Sequence, residues 1–586
     1  MKLKCFSLLA ATAICLGFSS CSSEEPGINN GGTTDSGERL HAKIQLYLPT
    51  GTRSKTEDYN DPTNSSDGYE IGKTYENNVN NVIVALATYD SDTKKFTPVA
   101  VSATSATPAD DFNESSPVYR LNFRQDEIQK AAEKRVYIFA FCNAEGLINV
   151  DQDFSTSDFV DKIMTITSID NNQGPWKNGN FLMANAPNKA IPYKNLPTET
   201  ELKRNYTTPE KALDLGAVDV ARVVSRFDFK QTNDNTYPVY DVNLEDKDRV
   251  PENAMASVKF LSMAPITIAK EYYLLPRVSD DGTDANWDLC GTETRNNWVV
   301  SPNFATKTTQ FGNEFLNKYL AQSMFTPYDD TSFYKYTDLA SFNGEDDNDE
   351  NWGDKLPEGS KLGYKIWRYV TENTLPAVAA QKKGISTGVL FKAEIVNPKA
   401  GSTLATAMAT KNDIYSFNGV MYGDIVALRK MASQLDDTNT LRQAFVKVFG
   451  AEYLETETTP EGKTIFKVAD ENLKNCDSEA NNNTFKIYRA TLDGQKNAHY
   501  YVYYLYRNRH NDNGNPAAMG AMEFGTVRNN IYKLAVTSVS EFGHPSDPKD
   551  DPDPEDPHDP DEDPKTYLKV SVRVVPWMVR VNNIEF

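Results

Sequence analysis

The sequence predicts a mainly β protein: two tandem β-sandwich domains, a helical insertion in the second, and a separate strand at the C-terminus. Aromatic residues make up 11% of the 586 residues. Short runs that alternate apolar and polar residues recur along the chain, and Asn, Asp, Gly and Pro cluster between them. Many strands with few helical patterns favour β-sandwiches over alternating strand and helix units.

The N-terminus has the pattern of an exported lipoprotein. MKLKCFSLLAATAICLGFSSCSSEEP carries two lysines, an apolar stretch and small residues before Cys21. The apolar stretch is too short to span a membrane and indicates a signal peptide over residues 1–20. FSSC looks like a bacterial lipobox, which predicts acylation of Cys21 and a flexible tether over 21–39. An ordinary signal peptide that happens to contain a cysteine is the alternative.

The first strand is predicted over residues 40–48, in LHAKIQLYL. Every second residue is apolar, the period of a half-buried strand. The residues that share the apolar face are Leu40, Ala42, Ile44, Leu46 and Leu48. The polar loop 49–68 follows and contains Arg53 in an exposed position.

A long, charged and unpatterned stretch predicts a domain boundary near residue 208. The first sandwich is then expected over 40–208 and the second over 209–544. Within the second, Ile425, Leu428, Met431 and Leu435 recur at helical spacing. They predict a helical insertion over 422–450 that ends at Gly450.

The composition and motifs argue against an enzyme. A net charge of −21 leaves no basic face for nucleic acid. The five histidines lack the spacing of zinc ligands. GISTG at 384–388 matches the G-x-S-x-G nucleophile motif, but a strand-like segment follows it where that motif requires a helix. We therefore predict no catalytic residues, no metal and no cofactor.

One acidic segment approaches the spacing of a calcium loop. Asp347, Asp349 and Asn351 precede Glu358 at the twelfth position. The turn glycine falls one place late, at Gly353, which spoils the geometry of the loop. A solvated acidic loop is the favoured interpretation, and a calcium site is the alternative.

The C-terminus consists of a spacer and a final strand. Residues 545–565 contain seven prolines and ten acidic residues, so they cannot collapse and extend over up to about 65 Å at roughly 3.1 Å per residue. Beyond them, residues 566–586 alternate, with a slip of phase at Val575–Pro576 where a bulge or break is predicted. The apolar residues of this segment are Leu568, Val570, Val572, Val574, Trp577, Val579 and Val581.

The first strand and the C-terminal strand have similar patterns and lengths, so either fits the same apolar slot. Proteolysis after Arg53 would release the first strand, and the tail of another molecule could enter by β-strand addition. Such a contact is head-to-tail and does not close, so it generates a filament. The alternative is that the tail folds back as the last strand of its own domain, and the residues alone do not decide between the two.

With these segments the sequence resembles the fimbrillins of the Bacteroidales type V pilus, and among them most the shaft subunit of the short, minor fimbriae. The resemblance is carried by the lipobox at Cys21, PTGTRS, FLMANAP, VARVVSRFDFK, AMEFGTVRNNIYKLAVTSVSEFG and LKVSVRVVPWMVRVNN. It implies transthyretin-like sandwiches and a lipoprotein precursor. It also implies cleavage between Arg53 and Ser54 by a trypsin-like, arginine-specific protease, followed by donor-strand exchange through the C-terminal strands.

These features predict a structural subunit that forms a homopolymer, a fimbria, on the cell surface and serves adhesion. Accessory tip and anchor subunits are expected as further partners, and the lipid joins only the precursor to the outer membrane. The alternative is a non-polymerising surface adhesin, or a fimbrial tip or accessory subunit, that binds a glycan or a partner protein.

Overall fold

A computed structural model gives the fold of most of the chain, and every structural statement below concerns the residues that it describes. These are residues 38–48, 70–103, 117–149, 153–166, 174–187, 189–231, 237–242, 256–282, 287–289, 298–302, 336–345, 363–375, 386–462, 464–466, 484–510, 515, 522–545 and 568–578.

Alternating and β-branched segments form most of the described structure. The first ten strands are β1 (Arg39–Tyr47), β2 (Glu70–Ile71), β3 (Val82–Asp90), β4 (Lys95–Val101), β5 (Val118–Arg124), β6 (Arg135–Cys142), β7 (Ile163–Thr165), β8 (Met183–Asn185), β9 (Tyr193–Asn195) and β10 (Leu213–Arg222). The next are β11 (Val224–Lys230), β12 (Val239–Val242), β13 (Ala256–Ile266), β14 (Glu271–Tyr273), β15 (Arg277–Ser279), β16 (Asp288–Leu289), β17 (Trp298–Val299), β18 (Thr337–Asp338), β19 (Lys365–Thr371), β20 (Asn373–Thr374) and β21 (Gly388–Val396).

The remaining strands are β22 (Ile414–Phe417), β23 (Val420–Gly423), β24 (Thr456–Thr458), β25 (Thr464–Phe466), β26 (Lys486–Tyr488), β27 (Thr491–Leu492), β28 (Ala498–His499), β29 (Tyr501–Arg507), β30 (Gly525–Thr526), β31 (Asn530–Val539) and β32 (Leu568–Met578). The α-helices are short: α1 (Thr74–Asn77), α2 (Gln125–Gln129), α3 (Glu199–Arg204), α4 (Thr403–Ala409), α5 (Ile425–Ser433) and α6 (Thr440–Phe449). Single 3₁₀ turns lie at Ser157–Asp161, Lys177–Gly179, Pro209–Lys211 and Ala451–Leu454. The prediction of a mainly β chain is confirmed, and the helices of the described residues are all too short or too polar to cross a bilayer.

Three larger sheets organise these strands. The first has the order β4-β3-β6-β8-β10-β1-β5, with β9 beside β6. The second has the order β19-β11-β31-β32-β2, and the third β12-β13-β21-β29, with β18 beside β13. The smaller sheets are β14-β7, β16-β15-β17, β20-β30, β23-β22-β26, β24-β25 and β27-β28. One continuous apolar core joins residues of all three larger sheets.

The chain leaves the first sheet at Val223, beyond the boundary predicted near residue 208. β10 pairs with β1 and β8, and β11 begins the second sheet two residues later. The apolar residues of β10 are buried in the first sheet because they alternate toward its core. The charged stretch before them folds as α3, which Thr198 and Glu201 cap, so it is a structural element and not a linker.

The predicted helical insertion consists of two helices, α5 and α6, with their own small core. α6 ends at Gly450, whose φ of 109° suits a residue without a side chain. Met431 departs from its expected role, since it is 40% exposed while Ala432 is buried. The buried stripe of α5 therefore continues from Leu428 through Ala432.

Candidate assembly site

The first strand occupies an interior position in the first sheet. β1 pairs in parallel with β10 and antiparallel with β5. Its apolar face lies fully in the core, whereas Tyr47 on the other face is 40% exposed. The buried residues of the apolar face are Leu40, Ala42, Ile44, Leu46 and Leu48. Burial of each larger side chain contributes roughly 1.5 to 3 kcal/mol gross.

A bulge in β10 sets the register of β1. Lys43 faces Asp214 and Gln45 faces Ala217, so β10 has one more residue than β1 between these two pairs. Gly216 adopts a φ of +88° there, and its N–H donates to the Asp214 carboxylate at 2.8 Å. Gly216 is therefore required by the turn itself, because a side chain disfavours this conformation.

The walls of the β1 position are apolar. Leu121 and Phe123 of β5 and Leu215 and Val218 of β10 are all buried beside it. β5 is the last strand in the order of the first sheet, and a backbone bond of 2.9 Å joins Ala103 N to its Asn122 O. Removal of β1 would open a slot between β5 and β10, with unpaired backbone groups on both sides.

This slot does not impose one direction on its occupant. β1 is parallel to β10 and antiparallel to β5, so β5 and β10 run in opposite directions. Any strand between them is parallel to one and antiparallel to the other, whichever way it enters. Specificity must come from side-chain fit and register.

The C-terminal strand pairs within its own chain and is not free. This is the alternative that the sequence left open. β32 pairs antiparallel with β31 from Val539–Leu568 to Asn530–Pro576. On its other edge, β2 pairs with Trp577 and Met578 alone. β32 is thus paired along its length on one edge and over two residues on the other.

The predicted break at Val575–Pro576 is wrong, since β32 runs unbroken from Leu568 to Met578. Pro576 faces Asn530, the first residue of β31, so it stands at the end of the ladder, where a missing N–H costs at most one bond. The bulge of this pair lies in β31, between Val536 and Ser538.

A buried ionic cluster fixes the segment that follows the predicted cleavage loop. Glu76 of α1 accepts from Arg226 at 3.0 Å, and Asp228 pairs with the same guanidinium at 2.7 Å. Tyr369 donates to Glu76 at 2.6 Å. All three charged side chains are 0% exposed, so the cluster joins α1 to the second sheet and excludes water.

Arg222 extends this cluster to the first sheet. Its guanidinium donates to Glu76 O at 2.9 Å and to Asn529 Oδ1 at 3.1 Å. Burial lowers the pKa of Arg222 to about 9, which leaves the side chain charged at neutral pH. Burial and the neighbouring Glu76 raise the pKa of Tyr369 well above its usual value, so this hydroxyl keeps the proton that it donates.

Several predicted site residues lie outside the described residues. These are Cys21, Arg53, Ser54, Val579, Val581, residues 546–565 of the spacer and the acidic segment Asp347–Glu358. The structure pairs Leu568, Val570, Val572 and Val574 with β31 through their backbone, and it pairs Trp577 with Glu70 of β2. It does not place them beside β1, which belongs to another sheet. In the part of the chain that the structure describes, no three His, Cys, Asp or Glu side chains could hold a metal ion together.

Neither β2 nor the Glu76–Arg226 cluster could be predicted from the sequence. β2 is two residues long and has no periodicity to detect. Glu76 and Arg226 lie far apart in the chain, and isolated charges resemble a solvated surface until their contact is known.

One family model matches the C-terminal part of the chain. Residues 497–583 match the family model described as major fimbrial subunit protein type IV, fimbrillin, C-terminal. This range includes β31 and β32. No curated protein sequence matches the chain.

Solved structures align with nearly the whole chain at low identity and low TM-score. A candidate cell adhesion protein of Parabacteroides distasonis ATCC 8503 is 12% identical, covering 93% of this chain and 99% of its own, with a TM-score of 0.37. A fimbrilin of Porphyromonas gingivalis W83 is 11% identical, covering 92% and 98%, with a TM-score of 0.34. The tip fimbrial protein Mfa3 of Porphyromonas gingivalis, truncated at its C-terminus, is 8% identical, covering 92% and 100%, with a TM-score of 0.30.

Proposed function

We propose that this chain, a fimbrillin by its C-terminal region, is a structural subunit of a cell-surface fimbria that polymerises head to tail by donor-strand exchange. In this proposal, cleavage after Arg53 frees β1. The β32 segment of a second copy then leaves β31 and enters the slot between β5 and β10. Within the fimbrillins, the shaft subunit of the minor fimbriae stays the predicted type.

The observation that carries the proposal is the difference in pairing between the two strands. β32 is held along one edge, with two further residues against β2. In the slot that β1 occupies, a strand is paired on both edges, by β5 and β10. Exchange therefore replaces one ladder by two and buries an apolar face in a preformed core, which favours the assembled state.

The contacts of α1 keep the segment that contains β2 on the subunit after cleavage. After cleavage, residues 54–69 precede β2 and α1. Because Glu76 is locked by Arg226 and Tyr369, the new N-terminal segment stays attached at α1 while β1 departs. Release is thus confined to β1.

The remaining parts of the proposal concern export and partners. The chain is a lipoprotein precursor acylated at Cys21, which holds it at the outer membrane until cleavage. A trypsin-like, arginine-specific protease cuts between Arg53 and Ser54, and tip and anchor subunits cap the homopolymer. The role is structural and non-enzymatic, and the fimbria serves adhesion at the cell surface.

A second candidate follows from the position of β32 on β31. If β32 stays there permanently, the chain has no donor and is a non-polymerising adhesin or a tip or accessory subunit. The two candidates differ in whether cleaved protein forms multimers.

Limited trypsin digestion of the purified precursor, followed by electrophoresis without boiling, separates the candidates. We expect a ladder of multimers after cleavage. A chain that lacks residues 567–586 should be cut equally and stay monomeric. Since Lys55 offers a second tryptic site, Arg53→Gln/Lys55→Gln is the uncut control. Persistent monomer after clean cleavage at Arg53 would contradict exchange and support the second candidate.

A further inference from the structure

A cavity of about 460 Å³ opens at the tip of the β3–β4 hairpin, where the hairpin meets β16. This volume falls in the range of small-molecule sites. None of its described lining residues belongs to β1, β5 or β10. Loss of β1 therefore removes no part of the cavity wall.

Aromatic rings form one wall. The rings of Tyr89 and Phe96 lie 4.7 Å apart between centroids, and Tyr137 meets them edge-on at 5.8 and 5.4 Å. Tyr89 remains 39% exposed. Such a group of rings presents an apolar aromatic surface that is still reached by solvent.

Trp287 also lines the cavity, and its ring is held by Arg277. The Arg277 guanidinium lies 3.8 Å from the centre of its ring and 3.6 Å from that of Tyr273. Asp161 pairs with the same guanidinium at 2.5 Å. Trp287 is half-buried, and its contact with Arg277 keeps the indole ready to receive a ligand without rearrangement.

Polar side chains also line the cavity. Asp158, Asp161 and Asp288 contribute carboxylates, and Lys94 and Lys95 contribute ammonium groups. The carboxylates accept hydrogen bonds and the ammonium groups donate them. Asp288 lies near the Tyr89 hydroxyl, and after burial it is the main cause of the raised pKa of Tyr89.

We propose that this cavity binds a neutral carbohydrate, with the sugar packed against the aromatic rings of Tyr89 and Trp287 that line it. A pyranose has apolar C–H faces that pack on aromatic rings and hydroxyl groups at its edge that exchange hydrogen bonds with carboxylates and ammonium groups. The cavity offers both features together. The inference does not rest on fimbrial assembly, because the cavity exists in the uncleaved chain.

The charges of the site exclude two other classes of ligand. Three carboxylates oppose an anionic ligand. A small cation is disfavoured as well, since Arg277 already occupies the cation position on Trp287 and two lysines line the cavity. A neutral ligand with many hydroxyl groups remains.

Titration of the purified full chain with lactose, cellobiose and maltose tests the inference by calorimetry and saturation-transfer NMR. We expect at least one disaccharide to bind with a Kd of about 1 mM or tighter. Trp287→Ala and Tyr89→Ala should each weaken that binding about tenfold, the worth of one stacked aromatic contact. Asp288→Asn, which keeps the shape of the cavity, should weaken it about threefold.

Tyr47→Ala is the matched control. Tyr47 of β1 is a 40% exposed tyrosine of the same sheet and does not line the cavity, so its loss should leave affinity unchanged. The inference is overturned if none of the three disaccharides binds at millimolar concentration. It is also overturned if Tyr89→Ala, Trp287→Ala and Asp288→Asn all bind with the affinity of the unsubstituted chain. Tighter binding of choline or 3′-sialyllactose would overturn the neutral carbohydrate assignment. The multimer ladder of these variants, measured separately, reports on assembly alone.

Discussion

Ser538 of β31 stands directly opposite Lys569 of β32 in the antiparallel ladder, and Ser538 is exposed. Opposed Cα atoms of such a pair lie about 4.5 to 5.5 Å apart, within reach of a disulfide. We expect oxidised Ser538→Cys/Lys569→Cys to stay monomeric after cleavage, because the bond holds β32 on its own chain. Reductant should restore the ladder on unboiled gels. Both single variants should polymerise with or without reductant, and a ladder from the oxidised double variant would show that β32 need not leave β31.

Ile44 of β1 is fully buried, so Ile44→Ala should lower the free energy of unfolding of the precursor by about 2 to 4 kcal/mol. It should also speed the release of β1 after cleavage, and hence assembly. Urea unfolding and the rate of multimer formation measure the two effects. Lys43→Ala, on the exposed face of the same strand, should change stability by about 0.5 kcal/mol or less. Equal effects of the two substitutions would contradict the burial of Ile44 and the exposure of Lys43 in β1.

Glu76→Gln should destabilise both precursor and cleaved chain by about 3 to 5 kcal/mol, because it leaves Arg226 buried with one carboxylate partner fewer. Differential scanning calorimetry measures the loss. Glu345→Gln is the matched control, since Glu345 is 52% exposed and contacts Lys73 and Tyr75 at the surface. It should change stability by about 0 to 1 kcal/mol. The cluster would have no anchoring role if Glu76→Gln were as mild as Glu345→Gln.

His499 gives the chain a pH-dependent contribution to stability. Its Nδ1 lies 2.6 Å from Glu394 and its Nε2 lies 3.3 Å from Asp493, and these hydrogen bonds raise the pKa of His499. When folding raises the pKa of a histidine, protonation of that histidine stabilises the folded state. This stabilisation is complete below the ordinary pKa near 6.5 and is lost as the pH rises through the pKa of the folded state. Unfolding in urea at about pH 6 and about pH 8 should therefore show lower stability at the higher pH.

His499→Asn should reduce this difference, because asparagine does not titrate. Lys259, which pairs with Glu394 at 2.7 Å, is left in place by this substitution. An unchanged pH dependence in His499→Asn would assign the effect to another group.

The faces of strands could be predicted from the sequence, but not their partners. The period of two in LHAKIQLYL identifies which side chains of β1 are buried, because that choice depends on local residues alone. It cannot say that β1 lies between β5 and β10. The same limit applies to β32, since the alternation from Leu568 to Val574 fits β31 of its own chain and the slot of a neighbour equally well.

Charged residues were the main source of error and omission. The stretch before β10 resembles a linker because its side chains are charged, yet Thr198 and Glu201 cap a helix there. Glu76 and Arg226 resemble surface residues for the same reason, and burial becomes visible only when both partners are placed together. Lipidation at Cys21 and cleavage at Arg53 stay predictions.

The tip of the β3–β4 hairpin belongs to a part of the first sheet that does not contact β1 in the strand order, where β6, β8 and β10 intervene. A filament of such subunits would therefore repeat the same cavity along its whole length. Sites of weak individual affinity become strong together when several engage one surface, because each bound site raises the effective concentration of the next. Attachment would then depend on the number of subunits in the fibre, so that longer fibres hold a sugar-coated surface more firmly without any change in a single site.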